Sequence, residues 1–147
     1  MGYAGILDDD VLQSFNSRIQ QITPCEAIAV LVALWTCPTM FKGLDIIWFI
    51  DNQAAMASLI KGSSSHTDIC LIATLVHLML ADLHCRVFFE YVETDANVSD
   101  GLSRDGILDT WTAKQHWILN ESVIPPFSSF QTASLIEVLE IFRALER

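Results

Sequence analysis

Three acidic residues stand where carboxylate chemistry is most effective. Glu26 follows the Thr23-Pro24-Cys25 start of an apolar helical segment. Asp51 ends the apolar run Leu44-Asp45-Ile46-Ile47-Trp48-Phe49-Ile50, and Asp100 opens a short helical stretch after the next apolar run. In open α/β sheets, sites gather beyond the carboxyl ends of strands. Carboxylates that converge there repel one another, and a hard divalent cation such as Mg²⁺, or Mn²⁺, relieves that repulsion. Two such ions, about 3.5–4 Å apart, activate a water and steady the leaving oxygen of an in-line phosphodiester displacement.

Each acid also has a local job open to it. Thr23 and Glu26 have capping-box spacing, Asp51 with Asn52 suits a turn or a helix cap, and Asp100 beside Ser99 suits a cap as well. Asp95 competes with Asp100 for any ligand role. The catalytic reading therefore rests on the order of the three acids at successive element ends. Around them, Arg104 and Lys61 could touch phosphates, and Asn52 could read a ribose 2′-OH. Lys61 also fits as the cation that closes a helix. His77 reads as a hydrogen-bonded core residue, and His66, His84 and His116 show no metal spacing.

The elements that must carry these residues follow from periodicity. Residues 1–20 read as a hairpin: a Gly2-Tyr3-Ala4-Gly5-Ile6-Leu7 run, a turn at Asp8-Asp9-Asp10, then alternation over Val11–Asn16. Thr23 as N-cap and Pro24 at the first helical position start a helix whose nearly unbroken apolar run, Ala27–Trp35, predicts deep burial. The run ending at Ile50 predicts a strand covered on both faces. Helix signals resume from Asn52 to Ile60 and stop at Lys61-Gly62, and a longer periodic stretch spans His66–Leu83. Arg86–Val92 reads as a strand, and Asn97–Arg104 as a polar turn leading into a short helix. Helix, strand, helix, strand, helix is the order of an α/β layered domain. Beyond Gly106, Trp111 and Trp117 lie in a stretch with no assignable pattern, and Ile124–Ser129, with Pro125-Pro126, reads as a linker. From Ser134, a Ser134-x-x-Glu137 capping box opens an amphipathic helix with Leu135, Val138, Leu139, Phe142 and Leu145 on one face. That face packs on its own domain or docks a partner.

Composition bounds the function. With 147 residues, 52% apolar and 18% charged, the chain can bury a core without disulfides or structural metal. Eight Lys+Arg against eighteen Asp+Glu leave a net charge of −10. No overall basic field draws the protein to nucleic acid or an anionic membrane. Cys25, Cys37, Cys70 and Cys85 have no CxxC spacing and read as reduced thiols. The longest apolar run has nine residues, short of the roughly 20 needed to span a bilayer. A soluble protein, cytoplasmic or nuclear, is expected.

Several of these pieces in order resemble one family: the glycine-rich start, Pro24-Cys25-Glu26-Ala27, Trp48-Phe49-Ile50-Asp51-Asn52, Lys61-Gly62-Ser63-Ser64 and Asn97-Val98-Ser99-Asp100-Gly101-Leu102-Ser103-Arg104. Over about residues 2–105 the chain resembles the ribonuclease H domain attached to reverse transcriptases of LTR-type and related retroelements. The resemblance implies a mixed sheet flanked by helices, its first three strands antiparallel. It implies Glu26, Asp51 and Asp100 as the second, third and fourth metal-binding catalytic acids, with Asn52 and Arg104 toward substrate. It also implies an Mg²⁺-dependent cut of the RNA strand of RNA–DNA hybrids, with a polymerase domain of a parent polyprotein as partner.

The departures are specific. The family's first catalytic Asp lies on a central first strand ahead of the residues matching Gly2–Gly5, and here Met1 leaves no room for it. Residues His66–Leu83 carry no Lys or Arg, so the basic handle found in some ribonucleases H is absent. The expectation is a ribonuclease H-like domain over 1–106, N-terminally shortened and with an incomplete site, an irregular extension over 107–130, and a C-terminal helix over 131–147. The alternative is the same fold as a non-catalytic connector or protein-interaction module.

Overall fold

The computed structural model describes residues 1–146; Arg147, the last residue of the helix expected over 131–147, lies outside them. The chain is α/β. In order it forms β1 (Gly2–Ala4), α1 (Asp9–Ser14), α2 (Ile22–Thr36), β2 (Asp45–Ile50), α3 (Gln53–Lys61), α4 (Thr67–Asp82) and β3 (Arg86–Tyr91). There follow α5 (Asp100–Asp105), α6 (Thr110–Lys114), β4 (Leu119–Glu121), α7 (Phe127–Phe130) and α8 (Leu135–Leu145). Strands β2 and β3 pair in parallel from Asp45↔Arg86 to Ile50↔Tyr91. Strands β1 and β4 pair in parallel as a second two-stranded sheet.

Helices α3 and α8 have well-capped ends. Asn52 caps α3, its side chain accepting from the Ala55 N–H at 2.8 Å, and Gly62 ends the helix in the left-handed region at φ 72°. A side chain there would be strained, so glycine closes this helix at least cost. The Ser134–Glu137 capping box of α8 is present in both directions. Core residues of α2 (Ile28, Leu31, Leu34) and α4 (Ile72, Leu75, Met79) are fully buried in one cluster. Each such side chain contributes about 1.5–3 kcal/mol.

The N-terminal hairpin does not form. Asp8 instead caps α1, accepting from the Val11 N–H at 2.9 Å, while Asp9 and Asp10 occupy its first turn, where negative charge meets the positive end of the helix dipole. The partner of β1 comes from 117 residues away and runs parallel to it, so among the described residues no antiparallel hairpin and no single mixed sheet joins the four strands. Thr23 is likewise not the cap of α2, which starts one residue earlier. Pro24 sits within the first turn, where a missing N–H costs nothing.

The β2–β3 sheet is covered on one face only. Trp48 stacks on Phe41 with ring centroids 5.6 Å apart, and Ile50 and Phe89 are buried, whereas Ile47, Phe49 and Phe88 are each about 60% exposed. A continuous apolar run therefore does not here mean two covered faces. The Pro125-Pro126 stretch is not a slack linker either: Phe127 is fully buried edge-to-face against Phe15, and Phe130 packs on Trp35. Helix α8 seats Val138 and Phe142 in the same core, so its apolar face is used within the domain. Trp111, in α6, meets Trp117 edge-on at 5.8 Å.

An ion pair between the half-buried Arg18 and the buried Asp68 ties the loop before α2 to the start of α4. Arg18 donates to both carboxylate oxygens of Asp68, at 2.6 and 2.8 Å, and the backbone N–H groups of Asn16 and Ile69 donate to the same carboxylate. Burial pushes the Asp68 carboxyl up, but the Arg18 and backbone donors outweigh it and hold it below the usual range. All four cysteines are free. Among the described residues no helix is long and apolar enough to cross a membrane.

Candidate functional site

A cleft of about 550 Å³ opens between the two sheets. It is lined by Tyr3–Gly5 from β1 and its end, by Glu26, Ala29 and Val32 of α2, by Trp48 and Asp51, and by Asn97 and Ser99 after β3. The carboxyl ends of β2 and β3 lead into it, the location expected of an α/β site.

Glu26 and Asp51 meet at this cleft. Because Thr23 does not cap α2, the Glu26 carboxylate is free of the capping-box role and lines the cleft instead. Its carboxyl is pushed up to about 7, first by burial, then by the charge of Asp51, by a hydrogen bond shared with Asp51 and by the charge of Asp100. Below about pH 7 Glu26 therefore carries the proton of the hydrogen bond that joins the two side chains.

Asn97 completes the arrangement. Its side-chain amide donates to Asp51 Oδ2 at 3.0 Å, while its carbonyl oxygen accepts from the Ser99 N–H and hydroxyl at 3.1 and 2.7 Å. It thus ties the segment after β3 to the end of β2. Sequence reading gave Asn97 no role; its place just before Ser99-Asp100 in the recognised stretch was the signal available.

Asp100, the first residue of α5, lies beside this pair but has its own partner, Arg104 one turn on, at 3.1 Å. The two line a neighbouring depression with Asp95, Asp109 and Trp111. Gly101 packs so closely on the buried Asp109 that a Cβ would press into its carboxylate; that carboxylate caps α6 through the Thr112 N–H at 2.7 Å. Arg104 is thus at the site, paired with an acid. Asn52 spends its carbonyl oxygen on capping α3, which leaves its amide N–H₂ outward. Asp95 is exposed. His77 is exposed rather than core, its Nε2 2.6 Å from the Leu59 carbonyl, so it fastens α4 to α3.

The oxygen-only donor set of Glu26, Asp51 and Asp100 fits a hard cation such as Mg²⁺ or Mn²⁺. Glu26 and Asp51 are paired and Asp100 stands within range of their charge, yet among the described residues no three His, Cys, Asp or Glu side chains are drawn close enough to hold an ion as they stand. Completing such a set requires Asp100 to release Arg104 and Glu26 to lose its proton. Compared with known protein families, with curated proteins and with solved structures, the chain matches none.

Proposed function

We propose that the chain is a ribonuclease H-like domain of retroelement origin, acting on the RNA strand of RNA–DNA hybrids with Mg²⁺, or Mn²⁺, at Glu26, Asp51 and Asp100. The observation that carries this reading is the Glu26–Asp51 pair at the carboxyl end of β2, with Asp100 close enough to raise Glu26 further. Bound there, a divalent cation supplies a Lewis acid and an activated water for phosphodiester hydrolysis. The chain's own residues prepare for it. Asn97 holds Asp51 in place, Glu26 keeps its proton until a cation displaces it, and Arg104, once Asp100 turns away, is free to meet a phosphate.

The negative charge of the protein and the absence of Lys and Arg from the cleft lining argue for weak grip on a hybrid by this chain alone. A polymerase domain in a parent polyprotein would supply that grip. The Asp100–Arg104 ion pair favours a second reading, a non-catalytic connector of the same shape whose acids are structural.

Incubation of the chain with a labelled hybrid in Mg²⁺, beside Asp51→Asn, and an Mg²⁺ titration followed by NMR separate the two. Cleavage lost in Asp51→Asn, with shifts confined to Glu26, Asp51 and Asp100, supports the nuclease. Shifts at none of the three, with no cleavage, support the connector.

A further inference from the structure

The same cleft has a property that the nuclease reading does not use: β1 and β2, which contribute Tyr3, Ala4 and Trp48 to it, each have one bare edge. In the β2–β3 ladder, the Arg86 N–H donates to Leu44 O and the Val92 N–H to Ile50 O. These bonds fix the phase of a parallel pair, so the even-numbered residues of β2 face β3 and the N–H and C=O groups of Asp45, Ile47 and Phe49 face the other way. On β1, Gly2 N–H donates to Ile118 O and Ala4 O accepts from Ser122 N–H, which turns the backbone of Tyr3 away from β4. Among the described residues none of these outward backbone groups has a backbone partner. Behind them α2, otherwise packed into the core, presents Ala29 and Ala33, the first exposed and the second half-buried, beside Val32.

Bare edges on both sides of a slot with an apolar floor are complementary to a β-strand, and strand addition is a general mode of peptide recognition. One end of the slot carries Glu26 and Asp51 and no Lys or Arg lines it, so the charge it lacks is positive. We propose that this cleft is a strand acceptor. It takes an extended segment of a partner polypeptide that pairs with β1 and β2, lays apolar side chains on Ala29, Val32 and Ala33, and sets a lysine or arginine beside Glu26 and Asp51. The ammonium or guanidinium group there competes with a divalent cation for the same carboxylates, so strand docking and metal binding exclude one another.

The test uses synthetic peptides as long as β2, six residues, in buffer without divalent cation, so that its outcome does not depend on the nuclease reading. One peptide alternates valine and threonine and carries lysine at the end meant for Glu26; a second has glutamate there; a third is the lysine peptide with its alternate backbone nitrogens methylated. Residue-resolved amide exchange is followed by NMR at Tyr3, Ile47 and Phe49. The lysine peptide is expected to slow exchange at all three by about tenfold or more, with little effect from the other two. No slowing by the lysine peptide, or equal slowing by the methylated one, overturns strand pairing. Equal slowing by the glutamate peptide overturns the assigned charge. Addition of Mg²⁺ is expected to restore fast exchange, and persistence of slow exchange overturns the competition.

Discussion

The side-chain amide of Asn97 donates to Asp51 at 3.0 Å across 46 residues of sequence, and that bond ties the segment after β3 to the end of β2. Asn97→Ala removes it together with the two bonds that Asn97 accepts from Ser99. A stability loss of about 1 kcal/mol is expected in urea denaturation.

Glu26 makes stability fall as pH rises through the range below neutrality. An acid whose folded value, about 7, lies above its ordinary 4.5 holds its proton more tightly when folded. The folded state is favoured most below that ordinary value and loses the advantage as pH climbs to about 7. With allowance for solvent screening at this half-buried site, the loss is about 1–2 kcal/mol. Urea midpoints measured from pH 5 to pH 8 should decline in the wild type, and Glu26→Gln should flatten the decline. An equal slope in both proteins would show that the pair does not share a proton.

Asp68 works with the opposite sign. Its carboxyl lies below the usual range in the folded state, so its contribution is complete above the ordinary carboxylate value and disappears as pH falls through the folded one. Asp68→Ala leaves the Arg18 guanidinium and two backbone N–H groups without their acceptor. A cost of about 3 kcal/mol is expected, measured at pH 7 by urea unfolding.

Gly101→Ala tests the close approach of α5 to α6. The added methyl displaces the Asp109 carboxylate from its place capping α6, at a cost of about 1–3 kcal/mol. The Trp111–Trp117 contact that α6 positions should report the change as a shift in tryptophan emission.

Local signals were legible and distant ones were not. Asn52, Gly62 and the Ser134–Glu137 pair announce their helix ends because each acts on backbone groups within four residues. The Asp8–Asp10 triplet misled because an N-terminal helix turn and a hairpin tip ask for the same residues. The pairing of Gly2–Ala4 with Leu119–Glu121 leaves no trace in either three-residue segment, since neither has room for a period. The order of Glu26 and Asp51 along the chain led to the expectation that they converge, and they do. Their shared proton, and the ion pair that engages Asp100, arise only from spatial packing.

The half-dressed β2–β3 sheet has a consequence for handling the protein. Its open face sets the exposed Ile47, Phe49 and Phe88 side by side, so two copies at high concentration present each other with matching apolar surfaces for association. The exposed Asp45–Arg86 ion pair at one end and Glu90 opposite Phe49 are the charges that stand against it. Colloidal behaviour should therefore hinge on those few residues: Glu90→Val turns the strand pair into an aggregation nucleus, and light scattering against concentration would register it long before any loss of fold.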